Sequence, residues 1–135
     1  MTSEERTEVL LTSRLLQAAA DMQWLSIGFT LIAALAYFFQ SPQRLWPLAV
    51  VVLGLVVNYY GFRIHFDASL FEDAAAERIT AEGIDAALVS LSLSAEGKST
   101  RSWSDRCSGA KRLVTRCAIV LLIQTVAVAA AGFLR

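Results

Sequence analysis

A chain of 135 residues that is 56% apolar, with positive mean hydropathy (+0.51) and no net charge, is at most one compact unit and leans toward the bilayer. Twelve basic against twelve acidic residues argue against a nucleic-acid or other polyanion partner. The two cysteines, Cys107 and Cys117, lie too far apart for a C-x-x-C motif, and no histidine is near them, so no zinc or redox centre is expected. Both are expected to be reduced and buried.

The chain opens on a helical signal. Thr2 followed by Glu5 fits a capping box, Glu4, Glu5 and Glu8 favour a helix N-terminus, and no Gly or Pro occurs before Gly28. Val9, Leu10, Leu16 and Ala20 form an apolar stripe that Leu11 and Leu15 widen. Residues 1–21 therefore read as a cytoplasmic amphipathic helix running directly into a membrane span. The start of the chain lacks a basic n-region, so the apolar run is expected to remain as an anchor.

Residues 22–40 and 45–62 carry no charge, and each is close to what a hydrocarbon core of roughly 30 Å demands. The short segment 41–44, Ser-Pro-Gln-Arg, folds them into a hairpin. Trp24, Tyr37 and Trp46, with Tyr59 and Tyr60, mark the two interfaces as an aromatic belt. Pro47 falls in the first turn of the second helix, where its missing donor costs little.

The segment 63–112 is the only part large enough to act outside the bilayer. Its first half has no helix breaker and an apolar set of Phe66, Leu70, Ala74 and Ala75, with Phe71 beside them. The second membrane helix is thus expected to continue to about Thr80 and to be interrupted by Gly83, its stripe meeting the first helix near Leu16 and Ala20. Ile84, Ala87, Leu88 and Leu91 suggest a further short helix. Residues 88–94 also alternate with period two, but a strand has no second strand to pair with. The stretch 95–110, rich in Ser, Gly and charge, reads as a linker in which Ser102 or Ser104 can cap the last helix. The third span is 113–134.

Ten basic residues fall on one side of this arrangement (Arg6, Arg14, Arg63, Arg78, Lys98, Arg101, Arg106, Lys111, Arg112 and Arg116) and two, Arg44 and Arg135, on the other. The positive-inside rule then places the N-terminus and 63–112 in the cytoplasm of a bacterial inner membrane, with the C-terminus periplasmic.

Gln124 lies near the middle of the third span, where facing lipid is costly, so it is expected to hydrogen-bond across a helix interface; pore lining is the other reading. Ala127 and Ala131 give that span a close-approach face. Phe66, Leu70 and Phe71 are the candidate interface outside the membrane. Asp21 and Arg116 are expected at similar depth as an ion pair, with Lys111 as the alternative partner. His65 with Met22 could ligate a haem, yet a single imidazole is a poor ligand set. No Asp, Glu, Lys or Arg sits deep in a span, which argues against a pump.

The fold expected is an all-α membrane protein, with three transmembrane helices (a helical hairpin plus a third span) and long cytoplasmic helical extensions. The function expected is that of a non-enzymatic accessory or scaffold subunit, without cofactor or metal. It would associate with itself or with a larger membrane complex. The alternatives are a holin-like oligomeric pore former and the membrane anchor subunit of a redox enzyme.

Overall fold

The computed structural model describes residues 2–39, 46–90 and 102–133; the expected turn at 41–44 and the stretch 91–101 lie outside them. Every described element is a helix: α1 Ser3–Ala20, α2 Met22–Phe39, α3 Trp46–Ala75, α4 Ala81–Ser90 and α5 Trp103–Phe133. Three rods, Ser3–Tyr37, Trp46–Ala75 and Trp103–Ala130, are long and apolar enough to cross a membrane.

The helix ends follow local chemistry. The Thr2 hydroxyl accepts from the Glu5 amide (3.2 Å) while the Glu5 carboxylate accepts from the Thr2 amide (2.7 Å), which closes the capping box and holds the Glu5 carboxyl below the usual range. α1 and α2 form nearly one rod, interrupted only at Asp21, whose carbonyl takes a three-residue bond from the Trp24 amide (3.2 Å).

α3 stops at Ala75, short of the expected Thr80. The amide of Arg78 bonds the Asp73 carbonyl and the amide of Glu77 bonds the Ala74 carbonyl (each 3.0 Å), with Glu77 at φ 57°. This is a Schellman motif with glutamate at the left-handed position that glycine usually takes. Gly83, expected to break a helix, lies instead in the first turn of α4, where its amide bonds the Thr80 hydroxyl (3.1 Å). The helix reading holds through Ser90; Leu91 and the rest of the alternating stretch lie outside the described residues.

α5 begins at Trp103, so residues 103–110, expected as linker, are helical. Ser102 caps them, its hydroxyl accepting from the Asp105 amide (3.1 Å). Composition alone suggested a loop, but Cys107 and Ala110 are buried and Trp103 packs on Phe71 (ring centroids 6.2 Å), and that burial outweighs the weak propensity of Ser and Gly.

The rods pack as a three-helix bundle in which α3 runs antiparallel to the other two. Its buried positions are Pro47, Val50, Gly54, Val57, Gly61, Ile64, Ala68, Phe71 and Ala75, with Ala74 beside them. Steps of three and four alternate without a slip, the 3.5-residue period of left-handed coiled-coil packing. The same steps run through Val9, Thr12, Leu16 and Ala19 in α1 and resume at Ser26 and Ala33 in α2; in α5 they run through Cys107, Ala110, Cys117, Leu121 and Gln124. One core therefore passes from the charged half of the bundle into the apolar half.

Val9, Leu16, Phe71, Ala74 and Ala75 of the stripes read in sequence lie in this seam, but the rest of it is rotated from them. Leu10, Leu11 and Leu15 are exposed, while Thr12 and Ser13 are buried in their place. Phe66 faces out and Ile64 and Ala68 face in. A steric cause is at hand: one face of α3 is small at every seventh residue, Gly54, Gly61, Ala68 and Ala75, and α1–α2 approaches closely there. Ser13 reaches the Ala68 carbonyl (3.4 Å) and the Arg6 Nε–H donates to the Ala75 carbonyl (3.1 Å) across that approach.

Candidate functional site

The apolar half of the bundle encloses a polar cluster centred on Gln124, which is fully buried. Its Oε1 accepts a hydrogen bond from the Ser26 hydroxyl at 2.7 Å. Its Nε2 faces the Thr30 hydroxyl at 3.2 Å and the carbonyls of Ser26 and Val50, each at 3.4 Å. The Thr30 hydroxyl in turn donates to the Ser26 carbonyl (2.8 Å). The side chain thus has partners from both other rods, which offsets the cost of burying an amide.

Space for the cluster comes from Gly54. A Cβ there would collide with Thr30 Oγ1 and lie 3.1 Å from Gln124 Nε2. Two turns along α3 the device repeats. A Cβ at Gly61 would lie 2.6 Å from Gln23 Oε1, and the Gln23 amide donates to Asn58 Oδ1 at 2.8 Å. Asn58 donates back to the Gly54 carbonyl (2.9 Å), linking the two levels.

The chemistry available is that of a register lock. Amides and hydroxyls fix which turn of α5 meets which turn of α2 and α3, much as one buried Asn fixes the register of a coiled coil. No group of three or more metal-ligating side chains occurs among the described residues. His65 and Met22 are both exposed. Cys107 and Cys117 are free and buried, and burial pushes the Cys107 thiol up, away from the reactive thiolate.

The other sequence-predicted residues distribute as follows. Phe71 is buried against Trp103, Leu70 and Ala127 are half-buried, and Phe66 is exposed. The side chain of Ala131 lies outside the described residues. Asp21 and Arg116 are both exposed, and among the described residues no ion pair joins them. Lys111 stands 3.4 Å from Glu8. Gln23 and Gly61 escaped the sequence reading altogether; the seven-residue spacing of Gly54 and Gly61 was the signal that could have found them.

No protein-family model, curated protein or solved structure matches this chain.

Proposed function

We propose that this chain is a multi-pass protein of a bacterial inner membrane, with its N-terminus and charged half in the cytoplasm, acting as a non-enzymatic accessory or scaffold subunit. The observation that carries the reading is the exposure of Leu11 (65%), Leu15 (45%) and Phe66 (48%) on the charged half. Apolar side chains among solvated charges are what a protein contact would cover. The ten-to-two distribution of basic residues supports the orientation.

The pore reading is less well supported. Ser26, Thr30, Asn58 and Gln124 turn into the chain's own bundle and are bonded there, while the outward residues Leu31, Ile32, Leu55, Leu122 and Val126 are apolar. A ring of such chains would present no polar wall to water.

A photo-crosslinking residue at Leu11 or Phe66 in native membranes should give adducts with protein, and one at Leu31 should not. Lipid adducts alone at all three positions would dismiss the scaffold reading, and conductance in liposomes would favour the pore. For orientation, a cysteine at Gln43 should label from outside in spheroplasts and one at Ser99 should not; the reverse pattern inverts the topology.

A further inference from the structure

We propose that the outer groove between α3 and α5, where the apolar half of the bundle ends, binds the headgroup of an anionic phospholipid through Arg63, Arg112 and Arg116. The inference rests on the membrane placement above and adds a lipid class and a site to it.

The register of α3 against α5 follows from two contacts, Gly54 with Gln124 and Phe71 with Trp103. In that register Arg63 lies level with Arg112 and Leu113, and Tyr60 lies level with Arg116. Tyr60 and Leu113 are half-buried and pack against the core, forming the floor between the two helices. Arg112 and Arg116 are four residues apart and share one face of α5. The outward apolar residues of α5 end just above them at Ile119. The guanidinium groups therefore stand at the depth where acyl chains give way to headgroups.

Their electrostatic state is distinctive. All three are exposed, and among the described residues none has an acid within ion-pair distance. Of the other basic groups on the charged half, Arg6 pairs with Glu77 (3.3 Å), Arg78 with Asp73 (3.1 Å) and Lys111 with Glu8 (3.4 Å), while Arg14 donates to the Gln17 amide oxygen (3.0 Å). The acid facing this groove is Asp67, one turn from Arg63 on the side away from the apolar half. Burial pushes its carboxyl up, with Arg63 acting against the shift, and no ion pair joins the two among the described residues.

Three arginines without acid partners, around an apolar floor at a helix–helix groove, match a lipid phosphodiester whose acyl chains continue along Tyr60 and the outer face above. Guanidinium forks pair with phosphate oxygens in two-point contacts. The Tyr60 hydroxyl, which makes no hydrogen bond among the described residues, supplies a further donor. A zwitterionic lipid brings its own ammonium to a site that is already positive, so an anionic headgroup is selected.

The test is native mass spectrometry of the full chain in neutral detergent, titrated with phosphatidylglycerol or phosphatidylcholine of matched acyl chains. Phosphatidylglycerol should be retained selectively, and Arg63→Gln, Arg112→Gln and Arg116→Gln should each lower its retention about five-fold. Arg14→Gln, which removes an equal charge from another face, should change it little. Each variant is first checked for unchanged helicity and melting. Equal retention of the two lipids, or an equal loss in Arg14→Gln, would overturn the site while leaving the membrane placement intact. Displacement of phosphatidylglycerol by inorganic phosphate alone would overturn a lipid as occupant. Retention of neither lipid would likewise overturn the site, whereas the membrane placement is tested separately by the cysteine labelling at Gln43 and Ser99.

Discussion

Ser26 and Gln124, separated by 98 residues in sequence, meet through a 2.7 Å hydrogen bond inside the bundle, with Gln124 wholly shielded. The bond ties the first and third rods at one height. A double-mutant cycle on Ser26→Ala and Gln124→Leu, read by thermal stability in nanodiscs, should give a coupling of roughly 1 kcal/mol, the upper part of the range for such bonds between membrane helices. A coupling of zero would mean that α5 is placed by shape alone.

Two glycines should respond in opposite directions. Gly54→Ala forces a methyl against Thr30 and Gln124 and should cost about 2 kcal/mol, as overpacking does. At Gly28 a Cβ meets nothing within 4 Å, so Gly28→Ala should stabilise by up to about 1 kcal/mol through helix propensity. Parallel melting curves of the two variants check this, and equal shifts would refute the close approach.

The period of the core makes a second contrast. Ile64→Ala and Phe71→Ala empty buried positions and should each cost about 2–5 kcal/mol. Phe66→Ala, only two residues from Ile64, should cost less than about 0.5 kcal/mol in the isolated chain. Denaturation in detergent separates a 3.5-residue seam, which requires this order, from the Phe66/Leu70/Ala74 stripe, which requires the reverse.

Glu77 holds a left-handed backbone at φ 57°. Glu77→Gly should therefore stabilise the chain by about 1 kcal/mol, since glycine carries no Cβ penalty there. The lost ion pair with Arg6 is mostly exposed and offsets little of this. A lower melting temperature in Glu77→Gly would mean that the ion pair outweighs the backbone strain.

Asp67 sets a pH dependence of known sign. Burial raises its carboxyl pKa in the folded chain, with Arg63 acting against the shift. The folded state therefore holds the proton more tightly than the unfolded state, so Asp67 costs nothing below the ordinary carboxyl pKa of about 3.9 and destabilises increasingly as pH rises through the folded value. Asp67→Asn should raise the melting temperature at pH 7 and leave it unchanged near pH 3. A larger gain at the acid end would show that the carboxylate has a partner.

By itself the sequence determined the class of molecule. Charge-free runs at 22–40 and 45–62, with a third near the C-terminus, already imply three apolar helices, because only an α-helix satisfies every backbone group within its own segment in lipid. The Thr2–Glu5 box, and a cap at Ser102 or Ser104 that the structure places at Ser102, were legible for a similar reason: their partners lie three residues away. Tertiary structure alone decided which face of each helix turned inward. In the apolar half nearly every residue is hydrophobic, so hydrophobicity cannot mark the buried side; shape marks it, through Gly54, Gly61, Ala68 and Ala75 at seven-residue steps. That step registers only when a second helix is present to fill it. The same holds for Gln124, whose cost in lipid was readable but whose partners on Ser26, Thr30 and Val50 came from two other rods. It holds for residues 103–110 as well, where a polar, Gly-containing stretch became helix because Cys107 and Ala110 found a core to enter.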